Sequence, residues 1–423
     1  MPVIDFPFGK EKLSLDIPSH RLTGVLESSL HAYTPAASEE ALVRAAMEKP
    51  IGSPRLMELA RGKNKIVILA SDHTRPVPSK VIIPFMLEEI RRGNPSADVT
   101  ILIATGCHRG TTKEELIAKF GEEIVRREKI YIHDCDETEK YVNIGTLPSG
   151  GECVINELAA KADLLVAEGF IEPHFFAGYS GGRKSVLPGV CSRSTVLANH
   201  CAEFIHSEYA RTGIIENNPI HKDMVVAART VNVQFILNVA LDAEKKVIAA
   251  FAGDLEEAHE KGVEFIRSLS QCETIHGDIV VTSNGGYPLD QNLYQSPKGA
   301  STAEVYAGDD GVIIMVCSCC DGMGGTNFER LITLGTPEEI DEYLSKIPAD
   351  QTIAEQWCPQ IYSRILKKHK LILVTTFLDP ELVKKANMIP AKTPDEALEI
   401  AYQIKGRDAK VVVVPDGVSV LAV

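Results

Sequence analysis

The chain has 423 residues, a formal net charge of −14 and ten cysteines. That length exceeds one ordinary domain of roughly 100–200 residues and predicts two or three, each with chain enough for a hydrophobic core. The acidic balance argues against a nucleic-acid partner, which calls for a basic face, and no run approaches the ~20 apolar residues of a membrane-spanning helix.

The first residues, Met1-Pro-Val-Ile-Asp-Phe, lack the basic-then-apolar form of a secretory signal. Ten cysteines in so long a chain fit reduced thiols rather than a disulfide framework, so a cytoplasmic protein is expected. Cys317, Cys319 and Cys320 are the dense group. Without a matching second pair they read as a small, buried, reduced cluster, with a metal site as the alternative.

Val3 to Ile17 alternate around Gly9-Lys10 and predict a hairpin. Helices are expected over 38–48 and 53–61. Lys65–Ala70 is a short apolar run, a strand buried on both faces, and it opens onto Ser71-Asp72-His73-Thr74-Arg75-Pro76. A helix over about 80–92 leads to a second such strand, Asp98–Ala104, which ends in Thr105-Gly-Cys-His108-Arg-Gly110. A helix then begins at Thr112, with Glu114 and Glu115 in its first turn. Ala162–Glu168 is a third strand. It runs into His174-Phe-Phe-Ala-Gly178-Tyr-Ser180-Gly181-Gly182-Arg-Lys184, closed by Pro188-Gly189.

Ser194–Phe204 predicts a helix that holds His200. A helix over 218–229, strands from Val233 and from Lys246, and an amphipathic boundary helix Leu255–Ser270 follow. The pattern then restarts with strand Asp278–Ser283, a helix across about 290–306 and strand Gly311–Val316. Helices near 337–346 and 353–367 precede strand Leu371–Thr376, and helices near 379–386 and 393–404 precede a last strand, Lys410–Pro415. The expectation is an α/β protein of two α/β domains with mainly parallel sheets, 1–270 and 271–423, and an active site in the cleft between them.

In open α/β sheets, ligands bind beyond the carboxyl ends of the strands. The loops carrying Asp72–Arg75, His108 and His174–His200 are therefore expected to meet in one site. Gly178, Gly181 and Gly182 let the backbone turn sharply beside a ligand. Ser180 and the amides of that turn suit an anion, and Lys184 just beyond suits a phosphate contact or a covalent bond. His108 and His174 can each act as acid or base near neutral pH. Two such groups facing one substrate from opposite sides suit racemisation or epimerisation. Arg75 offers a planar fork to a carboxylate or phosphate, and Asp72 an acceptor for a ribose hydroxyl. Tyr294, Gln295 and Lys298 fall on one side of a helical turn and suit a small carboxylate or hydroxy acid. Trp357, the one tryptophan, is expected in core packing. No Gly-x-Gly-x-x-Gly follows the first strand, and neither a Walker lysine nor a Gly-x-Ser-x-Gly elbow is present.

The set Asp72-His-Thr-Arg-Pro-Val-Pro, Gly106-Cys-His108-Arg, His174-Phe-Phe-Ala-Gly-Tyr-Ser-Gly-Gly-Arg-Lys184, Asn199-His200 and Tyr294-Gln295-x-x-Lys298 resembles the nickel-pincer lactate racemase family, in order and over nearly the whole chain. The resemblance implies a 2-hydroxy-acid racemase, for lactate first, with malate or a longer-chain acid as the alternative. It implies a Ni(II) pyridinium-3-thioamide-5-thiocarboxylic acid mononucleotide joined covalently to Lys184, with His200 as nickel ligand. It also implies His108 and His174 as the paired acid and base, and Asp72, His73, Thr74, Arg75 and Pro188 around the cofactor. Arg75, Tyr294, Gln295 and Lys298 would meet the substrate. Separate biosynthesis proteins would supply the cofactor.

Overall fold

The computed structural model describes residues 2–422. Two six-stranded sheets organise it. In the first, the order is Val247–Gly253, Val233–Leu241, Leu164–Phe170, Lys65–Ser71, Asp98–Ala104, Lys129–Ile132. All neighbours are parallel except the first pair. Ile66–Ala70 and Leu164–Phe170 are buried throughout, as continuous runs of aliphatic side chains allow when helices cover both faces of a sheet. From Lys65–Ser71 the chain moves outward to one side, and from Leu164–Phe170 to the other. The crevice between the ends of those two strands is where such a sheet takes a ligand. The Asp72 loop and the His174 segment leave from those two strand ends.

The second sheet runs Ile389–Ala391, Lys370–Val374, Ala307–Val316, Gly277–Ser283, Val411–Val414, Leu22–Val25, parallel throughout. The α/β class with mainly parallel sheets is as expected. The division at 270 needs one correction. The expected hairpin forms, Val3–Phe8 against Glu11–Asp16, but its Ile4, Phe6, Phe8 and Leu15 are buried in the core of the second sheet with Ile279, Val281 and Val411. Leu22–Val25 is that sheet's edge strand. Residues 2–26 therefore belong with 271–422, because an aromatic hairpin face needs an apolar sheet to cover it and sequence order does not choose which.

Two expected helices are broken. The one over 194–204 is Arg193–Asn199 and Ala202–His206, with His200 capping the first and an extended Cys201 between them. The one over 290–306 is a 3-10 turn, Leu293–Gln295, followed by a helix Pro297–Tyr306. Pro297 has no N–H to give, so it starts a helix rather than continuing one. Short strands such as Tyr141–Thr146 and Glu152–Asn156 add to the expected elements and are too brief for a periodic signal. All ten cysteines are free thiols; Cys317 and Cys319 are buried and Cys320 is exposed. Among the described residues no helix is long and apolar enough to cross a membrane.

The placement of the hairpin is testable. Phe6 has no exposed surface, and Phe6→Ala is expected to cost about 3–5 kcal/mol. In urea unfolding followed by hydrogen exchange, the loss should fall on the unit holding 271–422 and leave 27–270 protected.

Candidate active site

The glycine segment folds back on itself. His174 pairs with Gly178 in a two-residue antiparallel ladder, and Gly181 and Gly182 follow with φ of +78° and +53°. A Cβ on Gly181 would lie 2.6 Å from Asn238 Oδ1 and 2.8 Å from the Phe170 carbonyl. That approach lets the Gly182 N–H donate to Asn238 Oδ1 at 2.7 Å. Ser180 was expected to hold an anion. Its hydroxyl instead donates to the Phe170 carbonyl and accepts from the Glu172 N–H, each at 2.9 Å, and so braces the turn.

The turn delivers two basic side chains in opposite senses. Arg183 is buried and donates to the carbonyls of Ala177 (2.8 Å), Gly181 (3.2 Å) and Ser180 (3.3 Å). Lys184 points to the cleft, with Nζ 3.4 Å from His174 Nε2. Burial, then the charges of Arg183, Arg75 and Lys298, hold the Lys184 amine well below the usual lysine range, with Glu172 opposing. The Ala177 N–H donates to His174 Nδ1 at 3.3 Å, so a neutral His174 carries its proton on Nε2. Burial and the charges of Lys184, Lys298 and Arg75 keep that ring neutral.

His200 sits where its helix ends. Its ring meets Phe176 edge-on at 5.1 Å and Trp357 at 5.0 Å between centroids. Burial, then the Lys184 charge, pushes His200 down to about 3, and its buried Nδ1 has no hydrogen-bond partner. Trp357 packs in the core as expected and also forms part of this wall. Its Nε1 donates to the Tyr294 hydroxyl at 3.0 Å, tying His200 to the turn that carries Tyr294 and Gln295.

On the opposite strand end, Asp72 is buried and fully engaged. Its Oδ2 lies 2.8 Å from His108 Nδ1, and its Oδ1 accepts from the Thr74 hydroxyl (2.6 Å) and N–H (3.1 Å). Burial works against the Asp72 charge, but His108, Arg75 and Thr74 together hold it well below the usual carboxylate range. An acceptor so occupied is poorly placed for a ribose hydroxyl. Arg75 Nη1 donates to Thr74 Oγ1 at 2.9 Å. His73 turns the other way, with Nδ1 3.0 Å from Thr111 Oγ1 and 3.8 Å from Glu115. Asp72, Arg75, His108, Lys184 and Pro188 line one cavity of ≈120 Å³. Lys298, in the first turn of its helix, reaches this region from the second unit. Burial, eased by Glu172 and reinforced by Arg75, brings its ammonium down to about 8.

Two residues outside the sequence reading hold the Asp72 loop in place. Glu168 Oε1 accepts from the Ser71 N–H (2.8 Å), the Ser71 hydroxyl (2.8 Å) and the Ser79 hydroxyl (3.1 Å), so one carboxylate clamps both ends of the loop. Lys119 Nζ donates to the Arg75 carbonyl (3.0 Å) and the Val77 carbonyl (3.2 Å). Pro76 and Pro78 leave this loop short of backbone donors, which is why it leans on side chains.

Comparison with known proteins assigns this chain to a family. The domain pattern "Lactate racemase N-terminal domain" matches residues 8–213, and "Lactate racemase C-terminal domain" matches residues 272–422. The chain belongs to the lactate racemase family. It is 53% identical over 422 residues to the lactate racemase of Thermoanaerobacterium thermosaccharolyticum, covering 100% of this chain and 99% of that one. It is 49% identical to the lactate racemase of Lactiplantibacillus plantarum, covering 100% of both. The structure of the lactate racemase apoprotein from T. thermosaccharolyticum matches with a TM-score of 0.97 at 52% identity over 100% of both chains. A Thermotoga maritima protein at 19% identity shares the fold alone, with a TM-score of 0.68 over 92% of this chain and 100% of that one.

The Glu168 clamp yields a prediction. Glu168→Ala leaves three donors without their acceptor, the Ser79 hydroxyl buried and the two of Ser71 half-buried, and a buried donor left unsatisfied costs about 1–3 kcal/mol. Thermal unfolding should show a loss of at least about 2 kcal/mol, and the Ser71 amide should lose its hydrogen-exchange protection.

Proposed function

We propose that the protein interconverts L- and D-lactate by reversible hydride transfer, with His108 and His174 exchanging the hydroxyl proton. The observation that supports this most directly is a pair of imidazoles on either side of Lys184 in opposite electrostatic settings, His108 lining the same cavity as Lys184 and His174 against its amine. His108 leans on the buried Asp72 carboxylate, while His174 is held neutral among cations. The α-hydrogen of lactate is only weakly acidic beside a carboxylate, so it leaves more readily as hydride while a base takes the hydroxyl proton. A racemase must do this from either face, which calls for two bases. His108 is the base for one enantiomer and His174 for the other, and each returns the proton on the reverse pass.

The residues present fit the cofactor that the sequence motifs imply. His200 offers a neutral ring with an unused, buried Nδ1, the state in which imidazole binds a metal. Lys184 offers an amine whose surroundings disfavour its charge, as a covalent attachment point needs. Arg75 and Lys298 give the cleft the positive charge that an anionic mononucleotide and a carboxylate both require. His200 would hold the nickel, Lys184 the pincer group, and Thr74, Arg75 and Pro188 would border its nucleotide part. When bound, this group supplies the hydride acceptor at the substrate α-carbon. Proteins that build and deliver it are the expected partners.

Arg75, Gln295 and Lys298 hold the substrate carboxylate in this reading, and Tyr294 closes the cleft with Trp357. The aromatic wall of Phe176, Tyr294 and Trp357 beside His200 suits the methyl group of lactate better than the longer chain of a larger 2-hydroxy acid.

A chiral assay on cofactor-loaded protein tests this. L-lactate should yield D-lactate, and malate or longer acids should turn over more slowly. His108→Ala and His174→Ala should each lower kcat about 10²–10⁴-fold while intact mass still shows the adduct on Lys184. Full turnover in both variants would sink the mechanism. A pH profile supplies a second test. Lys298 is a cation below about 8 and neutral above it, so its hold on a carboxylate is present at lower pH and is lost as pH rises through that value. Because kcat/KM reports the free enzyme, it should fall on the alkaline side of about 8. Lys298→Arg, which stays charged, should remove that limb.

A further inference from the structure

We propose that Arg183 is a positioning residue that presents Lys184 to acylating chemistry as a free amine. It does so by holding the Ala177 peptide that sets the His174 tautomer, and by placing a charge beside the lysine that no carboxylate neutralises. The proposal rests on the reading of Lys184 as the attachment point and assigns a cause to its reactivity.

Arg183 is only 2% exposed. A buried arginine is ordinarily paired with an acid. Among the described residues Arg183 has none: it donates to the Ala177, Ser180 and Gly181 carbonyls, lies 3.0 Å from His259 Nε2, and leaves Nε without a partner. Burial disfavours this charge, yet a guanidinium keeps its proton in proteins. The cation is therefore permanent and spreads its field to its neighbour.

The second link is a chain of bonds. Arg183 Nη2 donates to the Ala177 carbonyl at 2.8 Å. The same peptide's N–H donates to His174 Nδ1 at 3.3 Å, which puts the imidazole proton on Nε2. Nε2 faces Lys184 Nζ at 3.4 Å. An ammonium has three donors and no acceptor, so this contact is a hydrogen bond only when Lys184 is the neutral amine. Most of the groups that act on Lys184 oppose its charge. Arg183, Arg75 and Lys298 oppose its charge, His174 and His200 are neutral rings, and Glu172 is the acid that favours it. The Phe176 ring, 5.6 Å from Nζ, adds a weak preference for the ammonium.

The test uses the full-length chain before cofactor attachment. Acetic anhydride is applied across a pH series, and Lys184 acetylation is read by peptide mass spectrometry against the surface lysines. Nitrogen NMR of labelled histidine reports the His174 tautomer. The expected result is Lys184 acetylation that reaches half its limiting rate at a pH well below that of the surface lysines, with the His174 proton on Nε2. Arg183→Gln should raise that half-point, cutting the rate about tenfold for each unit of rise at any pH below both half-points, and should release the tautomer. A Lys184 profile like that of the surface lysines, a proton on His174 Nδ1, or an unchanged profile in folded Arg183→Gln would each overturn the proposal. If Arg183→Gln does not fold, Arg183→Lys, which keeps a charge but loses the guanidinium fork on the Ala177 carbonyl, should still release the His174 tautomer, and an unchanged tautomer there would overturn the proposal. Lactate turnover enters none of these measurements, so a failed racemase assay would count against the proposed function and leave this inference to stand or fall separately.

Discussion

Positive charge gathered where water is scarce is the constraint on which the site depends. Arg75, Arg183, Lys184 and Lys298 act on one another across the cleft, and Glu172 is the acid that answers them. Like charges a few ångströms apart are costly at low dielectric. The chain meets that cost in different ways. Arg183 is wrapped in main-chain carbonyls, Lys184 sits where the neutral amine is favoured, and Arg75 and Lys298 remain at the cleft, where an anion would relieve them. The negative charge of Asp72 cannot serve, because His108 and Thr74 already engage it. A chain of net charge −14 thus keeps a cationic interior, and its overall acidity says nothing about the sign of its ligand.

Much of the site was legible because its parts lie at strand ends. Short aliphatic runs followed by polar loops marked where Asp72, His108 and His174 would emerge, and the reversal of strand order brought two of those loops together. The glycines were legible because few other residues accept positive φ. What stayed hidden depends on contacts far apart in the chain. Glu168 reads as the polar end of an apolar strand, and its role appears only when Ser71 and Ser79 are seen against it. Lys119 reads as the solvated side of an amphipathic helix, Asn238 as a strand residue, and His259 as part of a boundary helix. Ser180 was misjudged because a turn this tight must first satisfy its own amides and carbonyls.

The helical readings failed at two places in the site, and the failures share a cause. His200 lies at a helix end rather than within one, and Gln295 and Lys298 straddle the proline that starts a helix. A side chain inside a helix is committed to the face that periodicity assigns it. At a cap or a 3-10 turn it can reach a point that no helical face would offer. Local rules yielded where the cleft needed particular side chains.

The edge strand Leu22–Val25 pairs with Val411–Val414, so it waits for a partner that is made hundreds of residues later. During synthesis at about 5–20 residues per second, the aromatic hairpin ahead of it stays uncovered for roughly 20–80 s. The first sheet, built from residues 65–253, can close long before that. The second unit cannot be completed until Val411–Val414 has left the ribosome, and until the sheet is built Phe6 and Phe8 are apolar surface open to a chaperone.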